Sequence, residues 1–124
     1  MHLWIKLGGI LGGLSVMLGA FGAHSLKARL TEKSLATFHT AQFYQFMHSL
    51  ALILVGLLML KLGEEHSKRL NRAGWFFVAG IIMFSGSLYS LALGGPRWLG
   101  PVTPLGGLSF MIGWVLLAFS LPKK

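Results

Sequence analysis

Polar and apolar positions along this chain segregate in blocks: four long apolar runs lie between short patches that hold every Lys, Arg and Glu. The runs are placed at Leu7–Ala23, Phe43–Leu60, Trp75–Leu93 and Leu105–Leu121. Each is close to the roughly 17 to 25 residues that a membrane-spanning helix needs. None alternates with period two, and the short connections leave no length for a soluble domain or a β-barrel. The pattern predicts an all-α integral membrane four-helix bundle, one transmembrane domain over residues 1–124. The first run also carries Ala20-Phe21-Gly22 near its end, small residues spaced as at a leader cleavage site after its apolar core. Its length and glycine density fit a retained, packed helix better.

The connections carry their own signals. HSLKARLTEKSLATFHTAQF sets Leu26, Leu30, Leu35 and Phe38 among basic and polar residues, the pattern of an amphipathic interfacial helical segment between the first two spans. Thr31 reads as an N-cap with Glu32 in the first turn, so that the second helix starts near Glu32 and runs through Leu60 as one rod. In GGPRWLGPVTPLGG, proline and glycine break helix, and Thr103-Pro104 reads as N-cap and first-turn proline of the last helix. Trp98 is expected at the outer membrane interface, Trp4 and Trp75 at the inner one.

Composition agrees with the pattern: 54% of residues are hydrophobic and 11% charged, against roughly one-quarter charged in soluble domains. With no cysteine there is no disulfide or thiolate site. The net charge of +8 lies at membrane boundaries without the aromatic interleaving of a nucleic-acid surface, so anionic lipid headgroups at the cytoplasmic side are the expected partner and nucleic acid is not. Lys6, Lys61, Lys68, Arg69, Arg72, Lys123 and Lys124 flank one side of the spans; Lys27, Arg29, Lys33 and Arg97 flank the other. Positive loops stay inside, so both termini are expected in the cytoplasm of a bacterial inner membrane.

Lipid is as apolar as leucine, so helices within it associate through close backbone approach. Gly8-xxx-Gly12, Gly9-xxx-Gly13 and Ser15-xxx-Gly19-xxx-Ala23 supply small residues at one-turn spacing in the first run, and Gly86-xxx-Ser90-xxx-Gly94 in the third. LGGLSVMLG at Leu11–Gly19 recurs as LGGLSFMIG at Leu105–Gly113, which adds Gly106 and Gly107 as packing positions. An inverted repeat would read that way, but the middle helices carry no matching similarity. These small-residue faces also leave room for a homo-oligomer.

Polar residues of all four runs converge toward one side. At helical rise His48 lies about 7 Å below the boundary at Phe43, and Tyr89, with Ser85, Ser87 and Ser90, falls at a similar depth. His24 ends the first helix there and Thr103 begins the fourth. Tyr44, Gln45, His48 and Leu52 share one helical face, whereas His39 points about half a turn away, toward headgroups or water. The expected cluster is His24, Tyr44, Gln45, His48, Ser85, Ser87, Tyr89 and Thr103, with His48 bonded to Tyr89 or a neighbouring serine. A His24/His48 metal site would lack further ligands, so no metal or cofactor is expected. The serines of FSGSLY have no carboxylate nearby to complete a catalytic set.

GAFGAH at Gly19–His24, YQFMHSLAL at Tyr44–Leu52, FSGSLYSLAL at Phe84–Leu93 and VTPLGG at Val102–Gly107 follow in an order that covers nearly the whole chain. Together they resemble the small four-helix bacterial inner-membrane family of unknown function typified by YgdD and YwdK, which has an animal mitochondrial relative. The resemblance implies four spans and no established activity. The expected function is therefore that of a non-enzymatic membrane protein, structural or regulatory. The alternative is a small proton-linked transporter or channel that uses the polar cluster.

Overall fold

A computed structural model describes residues 2–121. Four apolar rods, Leu3–Leu26, Glu32–Leu62, Glu64–Ala92 and Arg97–Ala118, are each long enough to cross a membrane, and no strand occurs among the described residues. The first rod is helix α1 (Leu3–Phe21) followed by a π-helical turn, Gly22–Leu26. Helix α2 (Glu32–Leu62) forms the second. A 3-10 turn, Glu64–His66, leads into α3 (Ser67–Gly80), a second π-helical turn, Ile81–Ser85, and α4 (Gly86–Ala92). After a further 3-10 turn, Arg97–Leu99, α5 (Val102–Ala118) completes the bundle.

Helix starts and stops follow local chemistry. Thr31 is the N-cap of α2 and its hydroxyl accepts from the Ser34 amide at 3.1 Å. Only the second half of the amphipathic segment, from Glu32 with Leu35 and Phe38, is the opening of α2, collinear with the span, while its first half forms the π turn that ends at Leu26 and the turn after it; α2 is about 46 Å long against a hydrocarbon core of about 30 Å. At the far end Gly63 adopts φ +81, where a side chain would be strained, and its amide closes on the Met59 carbonyl. The opening of α5 departs from the expected cap. The helix begins at Val102, and Pro101, not Thr103, is its N-cap. Pro104 then falls in the first turn, where amides have no helical acceptor and a missing N–H costs little. Thr103 is left with its hydroxyl free for another partner.

The exterior is oily: Met17 is 68% exposed, Ile82 67%, and Ile10, Met111 and Val115 face outward with them. Such a surface suits lipid rather than water. The interior core runs through Leu52, Val55, Leu70, Phe77 and Phe110, and a smaller core of Leu26, Phe38 and Ala92 caps the His24 end.

Glycine decides where the rods touch. Helix α1 lies against α2 with Gly8 facing the Ser49 carbonyl and Ile53, and Gly56 facing Ile5. Helix α3 and its π turn lie against α5, where Gly80 receives the ring of Phe110, Gly113 that of Phe77, and Gly106 the backbone of Phe84. Of the packing positions expected, Gly12 and Gly19 also reach α2, and Gly107 lies at the edge of Phe84. Gly13 and Gly86 meet no other helix: Gly13 faces open space and Gly86 only the carbonyl of Ile81 in its own rod. Trp4 also departs from expectation. It is 1% exposed rather than set in an aromatic belt, because its ring fills the space over Gly74 and its indole N–H donates to Asn71 at 3.0 Å. Trp75 and Trp98 are exposed.

Candidate functional site

The glycine face of α1 sets up the first part of the polar site. It brings the α1 backbone near enough to α2 for side-chain amides to reach main-chain carbonyls that are already in helical bonds but retain a lone pair. The Gln45 amide donates to the Leu11 carbonyl at 2.8 Å, and Gln42, almost one turn away, donates to Ser15 at 3.1 Å. The remaining oxygen of Gln45 accepts the Tyr89 hydroxyl at 2.7 Å. Buried Gln45 thereby joins α1, α2 and α4.

His48 sits on the adjacent face of α2, also buried, and makes a separate set of contacts. Its Nδ1 bonds to the Tyr44 carbonyl at 2.8 Å, one turn back on the same helix. Its Nε2 accepts the indole N–H of Trp114 in α5 at 3.0 Å. A carbonyl can only accept and an indole N–H can only donate, so these two partners fix one neutral tautomer with the proton on Nδ1. The ring is held flat against Phe110, centroids 3.6 Å apart, with Phe77 at 5.6 Å.

A third pair closes α4 onto α5. Ser87 and Thr103 share a hydrogen bond at 2.5 Å, and Ser87 also donates toward the Phe84 carbonyl at 3.0 Å. Thr103 can do this because it lies inside the first turn of α5. Ser85, in the π turn, is fully buried and its hydroxyl is unpartnered among the described residues. Ser109 donates to the Phe76 carbonyl at 2.7 Å.

The expected cluster is thus three small sets rather than one. Tyr89 bonds Gln45, not His48. His24 is exposed on the π turn of the first rod and joins none of them, which separates it from His48 as a metal pair. Tyr44 contributes its carbonyl while its ring packs on Phe84 at 4.6 Å. His39 is exposed, in keeping with its helical phase. Trp114, Gln42 and Asn71 carry interhelical bonds but lie outside the expected cluster. The signal for Trp114 is present in the sequence: an indole N–H in mid-span needs an acceptor, and His48 is the one imidazole in the second run.

Two open grooves border the site on the membrane-facing surface. One, of about 560 Å³, lies between α2 and α5, walled by Met47, His48, Phe110 and Trp114. The other, of about 540 Å³, is lined by Leu14, Met17, Leu18 and Phe21 beside Gln45. Both are apolar where they open, since the polar atoms of Gln45 and His48 are already paired inside the bundle.

Comparison with known proteins agrees with this architecture. Residues 18–107 match the family described as "Protein of unknown function (DUF423)". The UPF0382 membrane protein SH2409 of Staphylococcus haemolyticus is 43% identical over 123 residues, 99% of this chain and 98% of that protein. The UPF0382 membrane protein YwdK of Bacillus subtilis is 42% identical over the same shares. No solved structure matches. With a match over most of its length and relatives alike from end to end, the chain belongs to the DUF423 family of unknown function, alongside the UPF0382 membrane proteins.

Proposed function

We propose that this protein is a non-enzymatic component of the bacterial cytoplasmic membrane, structural or regulatory in role, with both termini in the cytoplasm. The observation that carries the reading is the occupancy of His48. A proton carrier needs a ring nitrogen that can take up a proton and pass it on. Here the acceptor nitrogen already faces the Trp114 N–H, so a proton added there sets donor against donor. Gln45 and Tyr89 likewise spend their polar atoms on joining rods. The Ser87 hydroxyl is tied to Thr103 and to a carbonyl, with no base bonded to it among the described residues to make it a nucleophile.

The orientation rests on charge. Lys61, Lys68, Arg69 and Arg72 gather at the end where α2 passes to α3, and Lys6 stands near them at the start of α1; Lys123 and Lys124 lie outside the described residues. Lys27, Arg29, Lys33 and Arg97 mark the opposite end. A reporter fused after Lys124 is expected to read as cytoplasmic, and a periplasmic signal overturns the orientation. The functional reading is tested in proteoliposomes under a pH gradient. Wild-type protein and His48→Ala are both expected to leak no faster than empty vesicles. Wild-type flux that His48→Ala abolishes would replace this reading with the proton-linked transporter or channel.

A further inference from the structure

The strongest unassigned feature lies at the basic end of the bundle, where the start of α3 meets the end of α5. A cleft of about 370 Å³ opens there between Lys68, Arg69 and Arg72 on one wall and Phe119 and Leu121 on the other. Its lining also includes Glu65 and His66, so three cations face one carboxylate. On the first turns of a helix, Arg72 stands three residues from Arg69 and four from Lys68, spacing at which like charges repel. The first turn of α3 receives no side-chain cap, and its amides add positive potential to the same place. Arg69 is anchored through Nη1 to the Phe119 carbonyl at 2.5 Å, which caps the end of α5 and leaves the rest of its guanidinium fork available. Phe119 is 69% exposed and Leu121 56%, so an apolar wall continues from the cationic one into the membrane-facing surface.

We propose that this cleft is a binding site for the phosphate headgroup of an anionic phospholipid, its acyl chains lying along Phe119 and Leu121. Phosphate satisfies the guanidinium and ammonium groups of Arg72 and Lys68, and it relieves their mutual repulsion. The apolar wall selects a lipid over a free anion: inorganic phosphate would meet the same cations but leave Phe119 and Leu121 uncovered. A cationic recess between helices at a membrane boundary is the form that specific headgroup sites take. The inference rests on the bundle standing in a membrane and is independent of how His48 is read.

The test uses the full chain purified in neutral detergent and titrated separately with a diacyl phosphatidylglycerol, a diacyl phosphatidylcholine and inorganic phosphate, with bound species counted by native mass spectrometry. Phosphatidylglycerol is expected to bind with about tenfold or greater preference over phosphatidylcholine, and Lys68→Gln and Arg72→Gln to weaken it about fivefold each. Lys27→Gln and Arg97→Gln, which remove the same charge at the opposite end, are expected to leave it unchanged. Equal weakening by both pairs would reduce the effect to net charge and overturn the site. Inorganic phosphate binding as tightly as the lipid would overturn the lipid assignment. Both cleft variants alter exposed side chains, and Arg69 is left intact because it also holds the end of α5.

Discussion

The seam between α1 and α2 and the seam between α3 and α5 both depend on glycine, yet they use it in opposite ways. Along α1 and α2 the missing side chain lets one backbone lie against another: a Cβ on Gly8 would stand 2.6 Å from the Ser49 carbonyl oxygen and 3.1 Å from the Ile53 amide. Along α3 and α5 the missing side chains of Gly80 and Gly113 make sockets for rings: a Cβ on Gly113 would stand 2.7 Å from the ring of Phe77, and backbone meets glycine only where Gly106 lies against Phe84 of the π turn. A backbone atom in a helix cannot yield, whereas a ring can tilt. The first seam also presents main-chain carbonyls to Gln42 and Gln45, while the second presents aromatic faces to His48. In a solvent as apolar as the side chains, steric fit takes over what water would otherwise enforce, and it has at least these two forms.

The comparison fixes an order of effects. Of the four substitutions compared, Gly8→Ala should be the most damaging, about 2 kcal/mol, because overpacking against backbone has no relief. Reversible unfolding in bicelles measures it; a loss no larger than that of Gly113→Ala would erase the distinction between the seams. Gly113→Ala should cost about 1 kcal/mol, with Phe77 shifting to make room. Trp114→Phe keeps an aromatic ring, though a smaller one, and removes the donor to His48, so it should cost about 0.6 kcal/mol, the average for an interhelical hydrogen bond in a membrane. A loss several times larger would mean that His48 holds α5 by more than this bond. Gly13→Ala, facing open space, should stay within about 0.5 kcal/mol of wild type or gain slightly from helix propensity. A destabilisation like that of Gly8→Ala would show that this second stripe is covered in the membrane.

Much of this architecture was legible in the sequence. The four spans, the start of α2 at its Thr31 cap, the burial of His48 and the exposure of His39 all follow from run length, capping chemistry and helical phase. What stayed hidden depends on which helix lies beside which. Depth alone placed Tyr89 next to His48, but Tyr89 rises on the α1 side of α2 and Trp114 on the α5 side, and sequence spacing carries no sign of that lateral order. Gly56, Gly74 and Gly80 are isolated glycines without a small partner one turn away, so no spacing rule selects them, and even for Gly113, which has Ser109 one turn back, a socket is visible only with its ring. The belt rule misplaced Trp4 because it counts depth and ignores Asn71, a hydrogen-bond partner three residues short of the glycine that admits the indole. The Thr103-Pro104 pair carries the local signature of a cap, although the helix begins one residue earlier, at Val102.

The bond between Trp4 and Asn71 joins residues 67 positions apart, and that between Trp114 and His48 joins residues 66 apart. Each spans more than half the chain, so neither can form while the first hairpin is alone in the membrane. During synthesis the α1 and α2 pair must hold on its backbone fit until α3 arrives to receive Trp4, and the wait is repeated until α5 delivers Trp114. The most rigid seam is therefore the one that emerges first, and the side-chain locks act as successive checks on helices that insert later. A chain stopped after α2 would leave Trp4 and the face of His48 open to lipid, a visible mark of unfinished assembly for whatever clears incomplete proteins from the bilayer.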